Sequence, residues 1–159
     1  MRKSSKHKPN KTLVNPLAYV LESLRPVADQ KDSVLQLRLR NRFAIEALRE
    51  GRATLEDMQT LIEVNNFVDR LISVGFGAEH KEVSQKGQQA IISLAQRNLA
   101  ATAFGGNSDE LLAITELIDL NDAQLDVITV RDVRNAELYA AKHSTPIRVT
   151  FSSAPAIVG

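Results

Sequence analysis

The segment "LQLRLRNRFAIEALREG", residues 35–51, sets Arg38, Arg40, Arg42 and Arg49 in what otherwise reads as the middle of a helix. At 100° per residue, Lys31, Arg38, Arg42 and Arg49 fall within about 40° of one another as one cationic line, while Arg40 points elsewhere. Aligned guanidinium groups do one of two things. Facing water, they grip a polyanion with an affinity that salt weakens steeply. Inside a fold, they are neutralised by carboxylates. A complement exists further along the chain, where Asp119, Asp122 and Asp126 share one side of a helix at spacings of three and four. Glu46 also lies within reach of Arg42 and Arg49 on their own helix. The cationic line runs between two apolar faces, one of Val34, Leu37, Ala44, Ile45 and Leu48, the other of Leu35, Leu39 and Phe43. A helix apolar on two sides is expected at the centre of its bundle. The arginines are therefore expected in a seam, answered by the aspartates. The alternative makes Arg38, Arg42 and Arg49 part of a nucleic-acid-binding stripe.

The three aspartates have a second possible chemistry, because oxygen ligands suit Mg²⁺. That use requires further acidic groups on a facing helix. Asp29 and Asp32 are remote, and Glu63 and Asp69 project away from the apolar face of their helix, so no metal site is expected. The sequence has no Glu-x-x-His pair, His-Glu-x-x-His helix, Gly-x-Ser-x-Gly elbow or P-loop. "GFG" and "FGGN" are too short to cradle a phosphate. His7, His80 and His143 are scattered, and His80, in a first turn near the apolar face, reads as a packed or capping residue. A helix-turn-helix aligned on Ala47 and Gly51 fails, since Asp57 falls where a buried aliphatic is required. The expectation is a protein without catalytic residues, cofactor or metal, and not an enzyme.

Asparagine supplies a second pattern. Asn41 falls in the middle of the first apolar face of its helix. Asn65 lies among Met58, Leu61, Val64, Val68, Leu71 and Ile72, and Asn121 among Ile114, Leu117, Ile118 and Leu125. Asn41 and Asn65 each stand twelve residues from a turn centred near Ala53, which sets them at one height in an antiparallel hairpin. Across the next turn Asn65 faces the level of Gly87 and Gln88, and Gln88 faces about Gln124. Asn41, Asn65, Gln88 and Asn121 are thus expected to form a buried polar layer that fixes register, as single polar core residues do in coiled coils. The functional alternative is a small polar pocket for a ligand. Gly87, in mid-helix, costs about 1 kcal/mol relative to alanine, which suggests that another helix or side chain comes close there.

These residues need helices to hold them. Asn15 and Pro16 open a short helix over about 16–24, which Pro26 ends. A second helix runs from 32 or 33 to Glu50 and closes at Gly51. "TLED" is a capping box, Thr54 with Asp57, for a helix reaching about Val74. After "GFG" comes a helix over about 78–103, ended by Gly105-Gly106. Asn107 or Ser108 then caps a helix to about Ile128. "TVRD" either restarts it as a shorter helix to about Lys142 or continues it, the β-branched run Val127–Val130 favouring a kink. Long helices joined by short turns pack antiparallel. The fold class expected is all-α, an up-and-down bundle of about four long helices with short terminal ones. It occupies residues 12–143, between a disordered basic arm (1–11) and a tail (144–159) whose "PIRVTF" alternates like a lone strand.

Composition agrees. The chain has 159 residues, 43% of them apolar, with aromatics at 4% and no tryptophan, so its core is aliphatic. It has no cysteine and no apolar run of the roughly 20 residues needed to span a bilayer, so a cytoplasmic protein with no membrane association is expected. The net charge of +1 hides an asymmetry. Arg2, Lys3, Lys6, Lys8 and Lys11 sit in the arm with no acid, leaving fifteen of the twenty bases against all nineteen acids in the rest. An acidic body with a basic arm is not the profile of a folded nucleic-acid surface. Nucleic acid is therefore expected, if at all, at the arm, a protein partner or self-association is expected first, and no small-molecule substrate is expected.

The segments "NPLAYVLESLRPV", "LRNRFAIEALREGRAT", "DMQTLIEVNN" and "NDAQLDVITVRD" resemble, in order and over about residues 9–142, a group of small helical proteins without assigned activity carried by phages, prophages and plasmids of proteobacteria. The resemblance includes no active-site motif. It implies an accessory or regulatory protein of a mobile element in a bacterial cytoplasm, and it leaves the tail outside.

Overall fold

The computed structural model describes residues 16–98 and 102–143; the expected arm and tail lie outside them. Helix boundaries follow local chemistry. α1 (Pro16–Ser23) carries proline at its first position, where a missing N–H costs nothing, and ends before Pro26. One 3₁₀ turn (Val27–Asp29) leads into α2 (Lys31–Arg49), which closes where Gly51 takes φ 71°. α3 (Leu55–Ser73) opens on the expected capping box: Thr54 N–H donates to Asp57 Oδ2 at 2.8 Å, and Asp57 N–H donates back to Thr54 Oγ1 at 3.3 Å. After Gly77 a 3₁₀ turn (Ala78–His80) precedes α4 (Lys81–Arg97). Asn107, with Glu110, caps α5 (Ser108–Val127). The β-branched run after α5 is a true break. Val27 N–H donates to Ile128 O (2.9 Å) and Val130 N–H to Arg25 O (3.1 Å), so the α1–α2 connection holds the chain open before α6 (Val130–His143).

Consecutive long helices pack against one another and α5 returns against α2, consistent with the antiparallel bundle expected; the described residues are all-α, with no strand. Two expectations are corrected. The fourth helix ends at Arg97, not near 103. Phe104 is buried and exchanges backbone hydrogen bonds with Ala53 (3.2 and 2.9 Å), which pulls the chain off the helix axis and across the α2–α3 turn. The central helix is α3, which touches α2, α4, α5 and α6. α2 buries one face only: Leu35, Leu39 and Phe43 are 56%, 45% and 66% exposed.

The core falls into two apolar clusters. The larger joins the C-terminal half of α2 to α3, α4 and the first half of α5 around Leu48, Met58, Leu61, Leu94 and Leu117. The smaller joins Val34, Leu71, Leu125, Ile128 and Ala136 at the α6 end. Gly87 has the role its position suggests, because a Cβ there would lie 2.9 Å from Leu117 Cδ2 and 3.1 Å from its Cβ. α4 and α5 approach closely at that point.

Candidate functional site

Along the α2–α5 seam the arginines meet the carboxylates expected of them. Arg42 donates to Asp119 Oδ1 (2.6 Å) and Asp122 Oδ2 (2.7 Å). Arg38 donates to Asp126 Oδ1 (2.7 Å) and to the Asp122 carbonyl (3.0 Å), and its Nε lies 3.5 Å from Asp122 Oδ1. The hydrogen bond to Asp119, followed by the hydrogen bond and charge of Asp122, raises the Arg42 pKa above its ordinary value against the opposing effect of burial. Arg49 pairs with Glu46 on its own helix, and Arg40, facing the other way, with Glu63 of α3. Lys31, at the end of the line, makes no ion pair with a described residue. Among the described residues the three arginines of the row are answered from within, and Lys31 is not.

The same contacts set the height of the amides. Arg42 bridges Asp119 and Asp122, so Asn41 stands level with Asn121. Gln124, three residues past Asn121, donates through Nε2 to the carbonyl of Val68, three residues past Asn65 (3.3 Å). The three asparagines therefore occupy one level, 0%, 1% and 1% exposed. Gln88 does not join them. It is half-buried, because Ser84, Gly87 and Ile91 take the buried face of α4 and leave Gln88 at its edge. The buried polar residue that α4 contributes is Ser84, 3.4 Å from Asp69 Oδ1. Gln124 fastens the turn after α3 by donating also to Phe76 O at 3.0 Å. Neither role is visible in the periodicity, which marks Gln124 only as an amide near the layer.

The layer is not satisfied by protein atoms. Asn41 Nδ2 and Oδ1, Asn65 Oδ1, Asn121 Nδ2 and Gln124 Oε1 are enclosed and have no hydrogen-bond partner among the described residues. Leaving a buried polar group unpaired costs about 1–3 kcal/mol, so a core that keeps several has a polar interior open to other use.

The sequence conceals one further feature and misplaces another. Arg97 of α4 donates to both carboxylate oxygens of Glu110 (2.6 and 2.7 Å), while Asn107 N–H donates to Glu110 Oε2 (2.9 Å). Arg97 chiefly, helped by Asn107 and opposed by burial, holds the Glu110 carboxyl below its ordinary range. The spacing Asn107-x-x-Glu110 was the available signal. The other is the exposed stripe Leu35–Leu39–Phe43, which periodicity finds and misassigns to the interior.

The remaining candidates come together nowhere in the described chain. Arg2, Lys3, Lys6, Lys8 and Lys11 lie outside the described residues. His80 is exposed beside Glu79, and His143 stacks on Tyr139 at the end of α6. Among the described residues no three acidic or histidine side chains are grouped to hold a metal, and no helix is long and apolar enough to cross a membrane. No protein-family model matches the chain, no curated protein matches its sequence, and no solved structure matches its fold, so its own residues carry the functional reading.

Proposed function

We propose that this chain is a non-enzymatic protein-binding bundle, with the outer face of α2 as its docking surface. The observation that carries the reading is the stripe Leu35, Leu39 and Phe43, at i, i+4 and i+8 and about half exposed or more. An aligned apolar row of this kind is how a groove or helix recognises an amphipathic helix. Its borders are electrically balanced: Arg38 and Arg42 are held by three aspartates, Arg40 by Glu63 and Arg49 by Glu46. A surface with compensated edges has little to offer a polyanion. It fits one occupant, a helix from another protein whose apolar stripe is bordered by uncharged polar side chains. The resemblance noted in the sequence supports a setting among the accessory or regulatory proteins of a bacterial mobile element.

A photoreactive side chain introduced at position 39 tests this in cells. The expected product joins a foreign protein through an amphipathic helix. Binding of that protein, once purified, is expected to weaken at least about tenfold in Leu39→Asp and Phe43→Asp, the loss typical of buried apolar anchors. Crosslinks only to a second copy of this chain, or binding indifferent to both substitutions, overturn the reading. The alternative is a nucleic-acid-binding regulator acting through its arm, favoured by five cations and no acid in residues 1–11. It requires affinity for random-sequence DNA or RNA that falls with salt and on removal of those residues.

A further inference from the structure

A cleft of about 300 Å³ opens between α2 and α3 on the side away from the arginine–aspartate seam. Leu37, Val64 and Phe67 supply apolar lining, and the Arg40–Glu63 pair neutralises itself along it. Two groups are left with unused donors. Asn121, 1% exposed, lines the cleft from α5, and its Nδ2 has no hydrogen-bond partner among the described residues. Arg70 lines the cleft from α3 and forms no ion pair with a described residue. The cleft thus holds one uncompensated cation and one enclosed donor, with no unpaired carboxylate among its lining residues. Leu37 and Phe67 also line a neighbouring apolar groove of about 350 Å³ that continues past Val34 and Leu125 to Val133. Polar donors at one end and a continuous apolar track beyond them describe an amphiphile.

We propose that this cleft binds small monocarboxylates bearing an aliphatic chain, the carboxylate between Arg70 and Asn121 and the chain along Leu37 and Phe67. Volumes of this size are at the lower end of ligand pockets, enough for a chain of several carbons. A guanidinium and an amide N–H are the donors that recognise a carboxylate, and the apolar walls reward each added methylene. The site does not depend on the α2 stripe, which lies on another face of that helix.

The test is titration of the full-length protein with butanoate, hexanoate and octanoate, and with octanamide and octanol as uncharged controls. It is followed by calorimetry and by the side-chain amide signals in nitrogen–proton NMR spectra. Expected are saturable binding that tightens from butanoate to octanoate, a shift of the Asn121 amide signals, and affinity for octanamide and octanol at least about tenfold weaker. Arg70→Gln, on the rim and harmless to the core, is expected to weaken octanoate at least about tenfold, as is Asn121→Leu. Leu39→Ser, on the outer stripe, is expected to leave it unchanged. The proposal is overturned by an absence of saturable binding, by equal affinity for octanoate and octanamide, or by octanoate binding that ignores Arg70→Gln but is lost in Leu39→Ser.

Discussion

Two polar regions lie side by side where α2 meets α5, and they obey opposite rules. In the seam, Arg38 and Arg42 stand half in water, and every aspartate of the trio has a guanidinium against it. One helical face inward, Asn41, Asn65 and Asn121 are at most 1% exposed, and at least one amide atom of each has no hydrogen-bond partner among the described residues. Where α2 meets α5 the charges stay in contact with water and the neutral amides are buried. Exposed ion pairs contribute little to stability, usually under about 1 kcal/mol. The layer therefore has the larger influence on the fold, and it is there that substitutions should bite.

The greatest contrast comes from adding a charge to each region. Asn41→Asp is expected to destabilise by about 3–5 kcal/mol, the usual consequence of an uncompensated buried charge, with urea denaturation as the measure. A loss under about 1 kcal/mol would mean the layer is as wet as the seam. Removing polarity reverses the sign. Asn41→Leu, of similar size, is expected to stabilise by about 1–3 kcal/mol because it deletes two unpartnered groups. A comparable loss in the same assay would show that the amide makes bonds the fold needs.

A third comparison carries the rule for charges to the other end of the bundle. Glu110 has its pKa lowered on folding, so its contribution is present above about pH 4.5 and is lost as pH falls toward the folded value. Denaturation midpoints of Glu110→Gln should be lower than those of the parent at neutral pH, by roughly 1–2 kcal/mol in stability, and the two should converge in acid. Parallel pH curves would remove Glu110 from the explanation. In the seam itself, a double-mutant cycle of Arg42→Ala with Asp122→Ala should return about 0.5–1 kcal/mol of coupling, reduced at high salt. The smallest effect is expected at the outer stripe, where Phe43→Ser should change stability by no more than about 0.5 kcal/mol, since nothing in the described chain covers it.

The legibility of each region follows from its physics. Opposite charges name their partners by sign and spacing, so Arg38 and Arg42 could be matched to Asp119, Asp122 and Asp126 from letters alone. Capping has a fixed offset and was equally readable at Thr54 and Asp57. Asn41 and Asn65 could be set at one height by counting outward from their shared turn, and Asn121 to within one turn of it. Gln88 could not be excluded, because its burial depends on which face of α4 turns inward, and Ser84, Gly87 and Ile91 take that face. Nor does periodicity say which of two apolar faces a helix buries. α2 offers two, and only the packing of α3 against four neighbours decides that Leu35, Leu39 and Phe43 stay outside. The cleft at Arg70 and Asn121 is a property of three helices together and has no signature in any one of them.

The division of the core has a consequence for how the molecule comes apart. Among the described residues the larger apolar cluster has nineteen buried side chains and the smaller one five. Clusters so unequal behave as two cooperative blocks, the lesser one opening first beside enclosed amides that gain hydrogen bonds when water enters. Amide protons around Val34, Leu125 and Ala136 should exchange through partial openings well short of complete unfolding, while those around Leu61 and Leu94 wait for the whole chain to unravel.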